Sequence, residues 1–306
     1  MPEGRVLGFV AVFVRYCFLR IRLGGIIAVE INRAAIKANA KIVMSKTKPS
    51  PILVAFIYIL LVLILGALSS AVYDGAYQLY REVLYRGSMS DSEIFRLISY
   101  YAPTATQVAI MLALWLMSTM LNVGFYIYSL AVSRLSGASV GTLFDGFAVL
   151  PRALAVMLLS SLFTFLWCLL GIIPAVIGMM WVSAFEIIGS IAISVISVVI
   201  SIRYSQAIYV MLDNPEMSPL KCIRESKRLM VGRTGEYFVL EMSFFGWILL
   251  SIIPILYMWV MPYMQITLAN YYNALLVLDR GRIDDQTGKW NDYNPGRVRT
   301  PDDDGH

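Results

Sequence analysis

Long uncharged apolar runs alternate with short charged segments along the whole chain. Where no water reaches the backbone, a spanning segment must bond its own N–H and C=O groups, so runs of this length predict helices. A crossing takes about 20 apolar residues. The first run, from Pro51, opens at a residue suited to a first helical position and predicts a span over 51–73. The second follows Pro103 and predicts 104–132. Arg152 to Tyr204 is too long for one crossing and predicts two, 152–173 and 182–204, with the reversal at Pro174, Gly178 and Trp181. Tyr237 to Leu278 divides near Pro254 to Trp259 into 237–255 and 258–278. The fold class is therefore all-α: a polytopic transmembrane bundle of about six spans.

Between the spans the charges fall unevenly. Of the 25 Lys and Arg residues, 22 lie before the first span, between spans two and three, between spans four and five, and after the last. The positive-inside rule places these four segments in the cytoplasm, with both termini inside. Composition agrees: 58% of the residues are hydrophobic and 15% charged, against roughly half and about a quarter in soluble domains.

Two connecting segments carry a helical pattern of their own. In 30–44, Ile31, Ala34, Ala35, Ala38 and Ile42 share one face and Arg33, Lys37 and Lys41 another, which predicts a basic amphipathic helix on the inner surface. Between spans four and five, Ser218 and Pro219 open a second one. There Leu220, Ile223, Ser226 and Met230 form a face flanked by Lys221, Arg224, Lys227 and Arg228, and Gly232 ends the helix. Anionic headgroups attract such residues by about 1 kcal/mol each. The connection 74–103 predicts a small cap over the bundle, with Ser90 or Ser92 capping a short helix. Residues 1–29 read as an N-terminal extension or interfacial helix, 30–278 as the membrane domain, and 279–306 as a disordered cytoplasmic tail.

Candidate chemistry is sparse. The single His is His306, and Cys17, Cys168 and Cys222 are far apart, so neither a metal site nor a disulfide framework is expected. No nucleotide-binding glycine motif occurs, and no cofactor, enzymatic activity or nucleic-acid partner is expected. Polar residues inside spans are costly and are the first candidates for function. They are Asn122 in span two, the stripe Glu186, Ser190, Ser194 and Ser197 in span four, Arg203 at its end, and Glu241 in span five. The depths of Arg203 and Glu241 match, which predicts that they pair.

Several strings carry a family resemblance. They are Leu143-Phe144-Asp145-Gly146-Phe147, Arg203-Tyr204, Asp213-Asn214-Pro215, the stretch from Glu225 to Gly232, Ser243-Phe244-x-Gly246-Trp247 and Pro262-Tyr263. Over roughly residues 30 to 278 the chain resembles the bacterial integral-membrane family catalogued as domain of unknown function 975. The resemblance implies a multi-pass protein of the bacterial cytoplasmic membrane without an established activity. The expected role is a non-enzymatic membrane scaffold or accessory protein that contacts lipid headgroups or a protein partner. The alternative is a transporter or channel for a small solute or lipid, working through the intramembrane polar residues.

Overall fold

The computed structural model describes residues 31–287 except 88, 182, 252 and 253. The expectations for 1–29 and for the tail beyond 287 lie outside the described residues. Within them the chain is helical, with no strand. Four stretches are long and apolar enough to cross a membrane: Pro51–Val72, Ala105–Ser133, Val140–Leu169 and Gly189–Asp213. The elements are α1 (Arg33–Lys46), α2 (Pro51–Val72), α3 (Gly75–Arg86), α4 (Asp91–Tyr100), α5 (Ala105–Ser133), α6 (Gly146–Trp181), α7 (Ser183–Tyr204), α8 (Ala207–Asp213), α9 (Pro219–Leu229), α10 (Thr234–Met242), α11 (Phe245–Leu250) and α12 (Pro254–Thr287).

Helices α2, α5 and α7 fall where the first, second and fourth spans are expected, although the apolar stretch at the fourth is Gly189–Asp213. The other three differ. Helix α6 starts at Gly146 and continues through Pro174 and Gly178 to Trp181, so of the three residues expected at the reversal only Trp181 stands at a helix end. Neighbouring groups re-satisfy the backbone around a proline in membrane helices, so a single proline does not force a turn. The expected span 237–255 is divided into α10 and α11 at Ser243 and Phe244, where the backbone stays in the helical region but tightens, the Phe244 N–H bonding the Glu241 carbonyl three residues back at 2.9 Å.

Helix α12 is long but is not among the four apolar stretches, and it continues past the expected end at 278. It is the central helix of the bundle and packs against α1, α2, α5, α9 and α11. Ile266, Thr267, Ala269, Asn270, Tyr271, Tyr272 and Leu275 are all buried along it. A helix surrounded by other helices meets little lipid, so it tolerates Gln265, Asn270 and Asn273 where an outer helix would not.

Helix α1 is present as expected, with its N-cap Asn32 accepting from the Ala35 N–H at 3.1 Å. Its buried face is the other of two available stripes. Ile36, Ala40 and Val43 are buried and pack toward α12 and α5, while Ala34, Ala35, Ala38 and Ile42 are exposed. Both stripes have helical spacing and both hold two β-branched residues; the stripe of Ile36, Ala40 and Val43 is the one that meets α12 and α5, and of the other only Ile31, just before the helix, is buried. The basic residues follow. The Lys37 Nζ lies 4.3 Å from the Phe244 ring centre and the Lys41 Nζ 5.6 Å from that of Tyr263.

Between α2 and α5 the chain does not cap the bundle. Helices α3 and α4 pack chiefly on each other, and α4 buries no residue. Two bonds hold the base of this hairpin: Tyr73 Oη donates to the Tyr101 carbonyl at 2.7 Å, and Gln107 Nε2 to the Val72 carbonyl at 2.9 Å. Ser90 and Glu93 form a capping box at the start of α4, with the Glu93 carboxylate accepting from the Ser90 N–H at 2.9 Å and hydroxyl at 2.8 Å. Those bonds hold the Glu93 carboxyl below its ordinary value of 4.5. A depressed acid stabilises the fold above its ordinary pKa and loses that contribution as the pH falls through the depressed one. Helix α4 is therefore expected to fray as the pH drops below about 4.5. Faster amide exchange over 91–100 in wild type, and no such pH response in Glu93→Gln, would be the matching result.

Two backbone features fix the entry to the charged end of the bundle. Gly124 on α5 and Gly146 at the start of α6 let two main chains touch. A Cβ at Gly124 would lie 1.8 Å from the Leu143 carbonyl oxygen, and one at Gly146 would lie 2.3 Å from that of Met120. Helix α5 then ends in a Schellman motif, with Ser136 N–H bonded to Ala131 O at 3.0 Å and Leu135 N–H to Val132 O at 3.1 Å. The left-handed position, usually glycine, is held by Leu135 at φ 54°. Leu135→Gly is expected to raise stability by about 0.5–1 kcal/mol, because it relieves the left-handed strain at some entropic cost. An unchanged or lower thermal midpoint would contradict this.

Candidate functional site

Charged side chains gather where α5, α8 and α9 end, alongside the later turns of α12. Arg134, the C-cap residue just past α5, meets Asp213, the last residue of α8, through two parallel bonds of 2.7 Å. Its Nε donates to Asn273 Oδ1 on α12 at 3.0 Å, and Asn273 in turn donates to Ser133 Oγ at 2.9 Å. The fork-on-fork geometry is one that a guanidinium and a carboxylate make and a lysine cannot. Arg152 on α6 reaches the loop after Asp213 and donates to the carbonyls of Asn214 and Met217 at 3.0 and 3.1 Å. Together these contacts join four helices around the Asp213-Asn214-Pro215 string.

Helix α9 sits beside this junction. Ser218 and Pro219 begin it as expected; the first bonds, from Lys221 and Cys222, go to the Ser218 carbonyl, and the hydroxyl makes no cap. Gly232 terminates it at φ 77°. The four basic residues do different things. Arg228 is clamped between Glu225 and Asp279, with bonds of 2.7 Å and 2.5 Å to the Asp279 oxygens. The Glu225 and Asp279 carboxylates hold its guanidinium protonated far above its ordinary range. The Lys227 ammonium lies 5.5 Å from the Tyr204 ring centre. Lys221 and Arg224 are exposed and enter no ion pair among the described residues. Ile223, Ser226 and Met230 are buried as expected and the Ser226 hydroxyl donates to the Arg203 carbonyl at 2.8 Å, but Leu220 is exposed beside Lys221.

The intramembrane candidates do not meet at one place. Asn122 is exposed at a cleft of about 330 Å³ between α5 and α6, beside Trp115, Ser118, Met157 and Ser161. The Glu186 side chain lies outside those described. Ser190 and Ser194 are exposed on α7 and Ser197 is half-buried. The Ser194 hydroxyl bonds back to the Ser190 carbonyl of its own helix at 2.9 Å, and Ser201 does the same to Val198. Arg203 and Glu241 form no ion pair. Glu241 instead shares a cleft of about 250 Å³ with Ser201, Ser205, Tyr126, Tyr209 and Tyr237.

Sequence reasoning missed the Arg134–Asp213 clamp and the tyrosines around Glu241. Their partners are separated by tens of residues and no spacing announces them. The only available signal was the Asp213-Asn214-Pro215 string, which carried the resemblance without a stated role.

An all-helical chain with four apolar helices of membrane length has the architecture of a membrane protein. Residues 87–279 match the family described as protein of unknown function DUF975, and the chain belongs to that family. The match begins after α3, so α1 and α2 lie outside it although the resemblance extended to them. No curated protein and no solved structure matches the chain.

Proposed function

We propose that the protein is a non-enzymatic scaffold or accessory protein of the bacterial cytoplasmic membrane, multi-pass, with both termini cytoplasmic and its charged end resting on anionic headgroups. The division of labour on α9 carries this reading. Arg228 is consumed within the fold, while Lys221 and Arg224 face outward next to the exposed Leu220. That is the pairing of basic and apolar groups an interfacial helix presents to lipid. The α3–α4 hairpin adds support from the other end of α2 and α5. Leu84, Phe95 and Ile98 are exposed there, and an uncovered apolar face between two membrane-length helices fits a segment lying on the bilayer surface.

The test is lipid retention by the full chain purified in a mild detergent. Replacing both Lys221 and Arg224 by Gln removes about 2 kcal/mol of attraction, so binding of phosphatidylglycerol at low salt is expected to weaken about thirtyfold. Equal retention by wild type and the double variant would overturn the reading. The alternative, a transporter or channel for a small solute or lipid, draws its support from the Glu241 cleft alone. Substrate flux in proteoliposomes that is lost on Ser201→Ala would favour it.

A further inference from the structure

The cleft around Glu241 is made of parts that suit a positively charged guest. Its carboxylate has no Lys or Arg partner among the described residues. Three tyrosines wall it: Tyr209 and Tyr237 are buried, Tyr126 is half-buried, and the Tyr126 and Tyr209 rings meet edge to face with centres 5.5 Å apart. Aromatic rings attract cations through their negative faces, and the attraction grows where water is excluded. Gln265, from the central helix, donates to Tyr209 Oη at 3.4 Å, which anchors that wall. The cleft opens beside the exposed Ser201.

Size narrows the guest. At about 250 Å³ the cleft is smaller than the roughly 300–1,000 Å³ of pockets that take drug-sized ligands, so it suits a headgroup-sized moiety. A bare metal cation would want several oxygen ligands, whereas the described residues hold no cluster of three metal-binding side chains. A proton would need no cleft of this volume. One negative charge, three rings and two hydroxyls match an alkylammonium group.

We propose that this cleft binds an alkylammonium group, with Glu241 supplying the countercharge and Tyr126, Tyr209 and Tyr237 the aromatic walls. Such a group is carried both by free amines and by zwitterionic lipid headgroups. The site is independent of the basic face of α9, which selects the opposite charge, and either can fail without the other.

The experiment titrates tetramethylammonium chloride into the full chain in an uncharged detergent, with potassium chloride holding ionic strength constant, and reads binding by saturation-transfer NMR. Wild type is expected to bind and Glu241→Gln to weaken binding at least tenfold. Tyr126→Leu, which replaces a half-buried ring by another apolar side chain, is expected to weaken it severalfold and provides the second reading should Glu241→Gln not fold. No binding by wild type, or binding unchanged in folded variants, overturns the proposal. Native mass spectrometry with phosphatidylethanolamine and phosphatidylglycerol separates the sources. Retention of phosphatidylethanolamine that depends on Glu241 assigns the site to a lipid headgroup. Tetramethylammonium binding without such retention assigns it to a free amine.

Discussion

Gly124→Ala is expected to lower stability by about 3 kcal/mol, at the upper end of what overpacking costs, and to cut the yield of folded protein. The added methyl would sit 1.8 Å from the Leu143 carbonyl oxygen, 2.5 Å from its carbon and 2.9 Å from its Cα. All three are main-chain atoms, so no side-chain rotamer can relieve the overlap. The helices would have to part, and the same parting would expose Val123, Leu143 and Ala153, which are buried. Gly146→Ala is expected to act in the same direction, since its methyl would meet Met120 O at 2.3 Å and Gly124 N at 2.9 Å. Because one separation relieves both contacts, the double variant should lose less than the sum of the two. The thermal midpoint of detergent-solubilised protein, followed by size-exclusion chromatography, measures all three. A Gly124→Ala protein that melts with wild type would show that the α5–α6 approach is not as close as described.

Arg134→Gln is expected to cost about 2 kcal/mol. The change removes both bonds to Asp213 and the bond to Asn273, and it leaves a carboxylate facing the end of the bundle with no guanidinium. The figure stays below the loss for a fully buried pair because the side chains retain 36% and 20% of their exposure, so water screens part of the charge. Arg134→Lys keeps the charge and loses the fork, and should recover less than half of the loss. Asp213→Asn should be milder, since it leaves the more exposed partner unpaired. Combining it with Arg134→Gln should cost less than the two single losses together; strict additivity would mean that the pair is not coupled.

The reach of the sequence followed the physics of each signal. Lipid exposure writes itself into composition, so α2, α5 and α7, each with an outer apolar surface, were legible from hydropathy alone. Helix α12 was legible as a helix, but its central place was not, because burial among other helices relaxes the demand for apolar side chains. At α1 two stripes shared one period, and only the packing decided that Ile36, Ala40 and Val43 turn inward. Local chemistry was read well: a cap at Ser90 or Ser92, the Pro219 start and the Gly232 stop all depend on neighbours within a few residues, and only the reciprocal bond from Ser90 to Glu93 went unread. The site was read least well. The serine stripe on α7 had helical spacing and pointed to an interior surface, whereas Ser190 and Ser194 are exposed and the Ser194 hydroxyl bonds back within its own helix. Glu241 was singled out by its charge, but its true neighbours come from α5, α7, α8 and α10, which no linear pattern relates.

The polarity of α12 bears on how the chain is made. Helices α2 and α5 are apolar enough to leave a translocation channel for lipid one at a time as they emerge. Helix α12, with Gln265, Asn270 and Asn273, is a poor candidate for that step by itself and is best received by helices already waiting in the membrane. It also follows α1, α2 and α5 in chain order. A chain still growing through α2 and α5 therefore lacks a helix that packs on both, and the faces of α1, α2 and α5 that meet α12 stay uncovered until α12 is made. Assembly is expected to be late and all-or-none, and prematurely terminated chains to be cleared by membrane proteases.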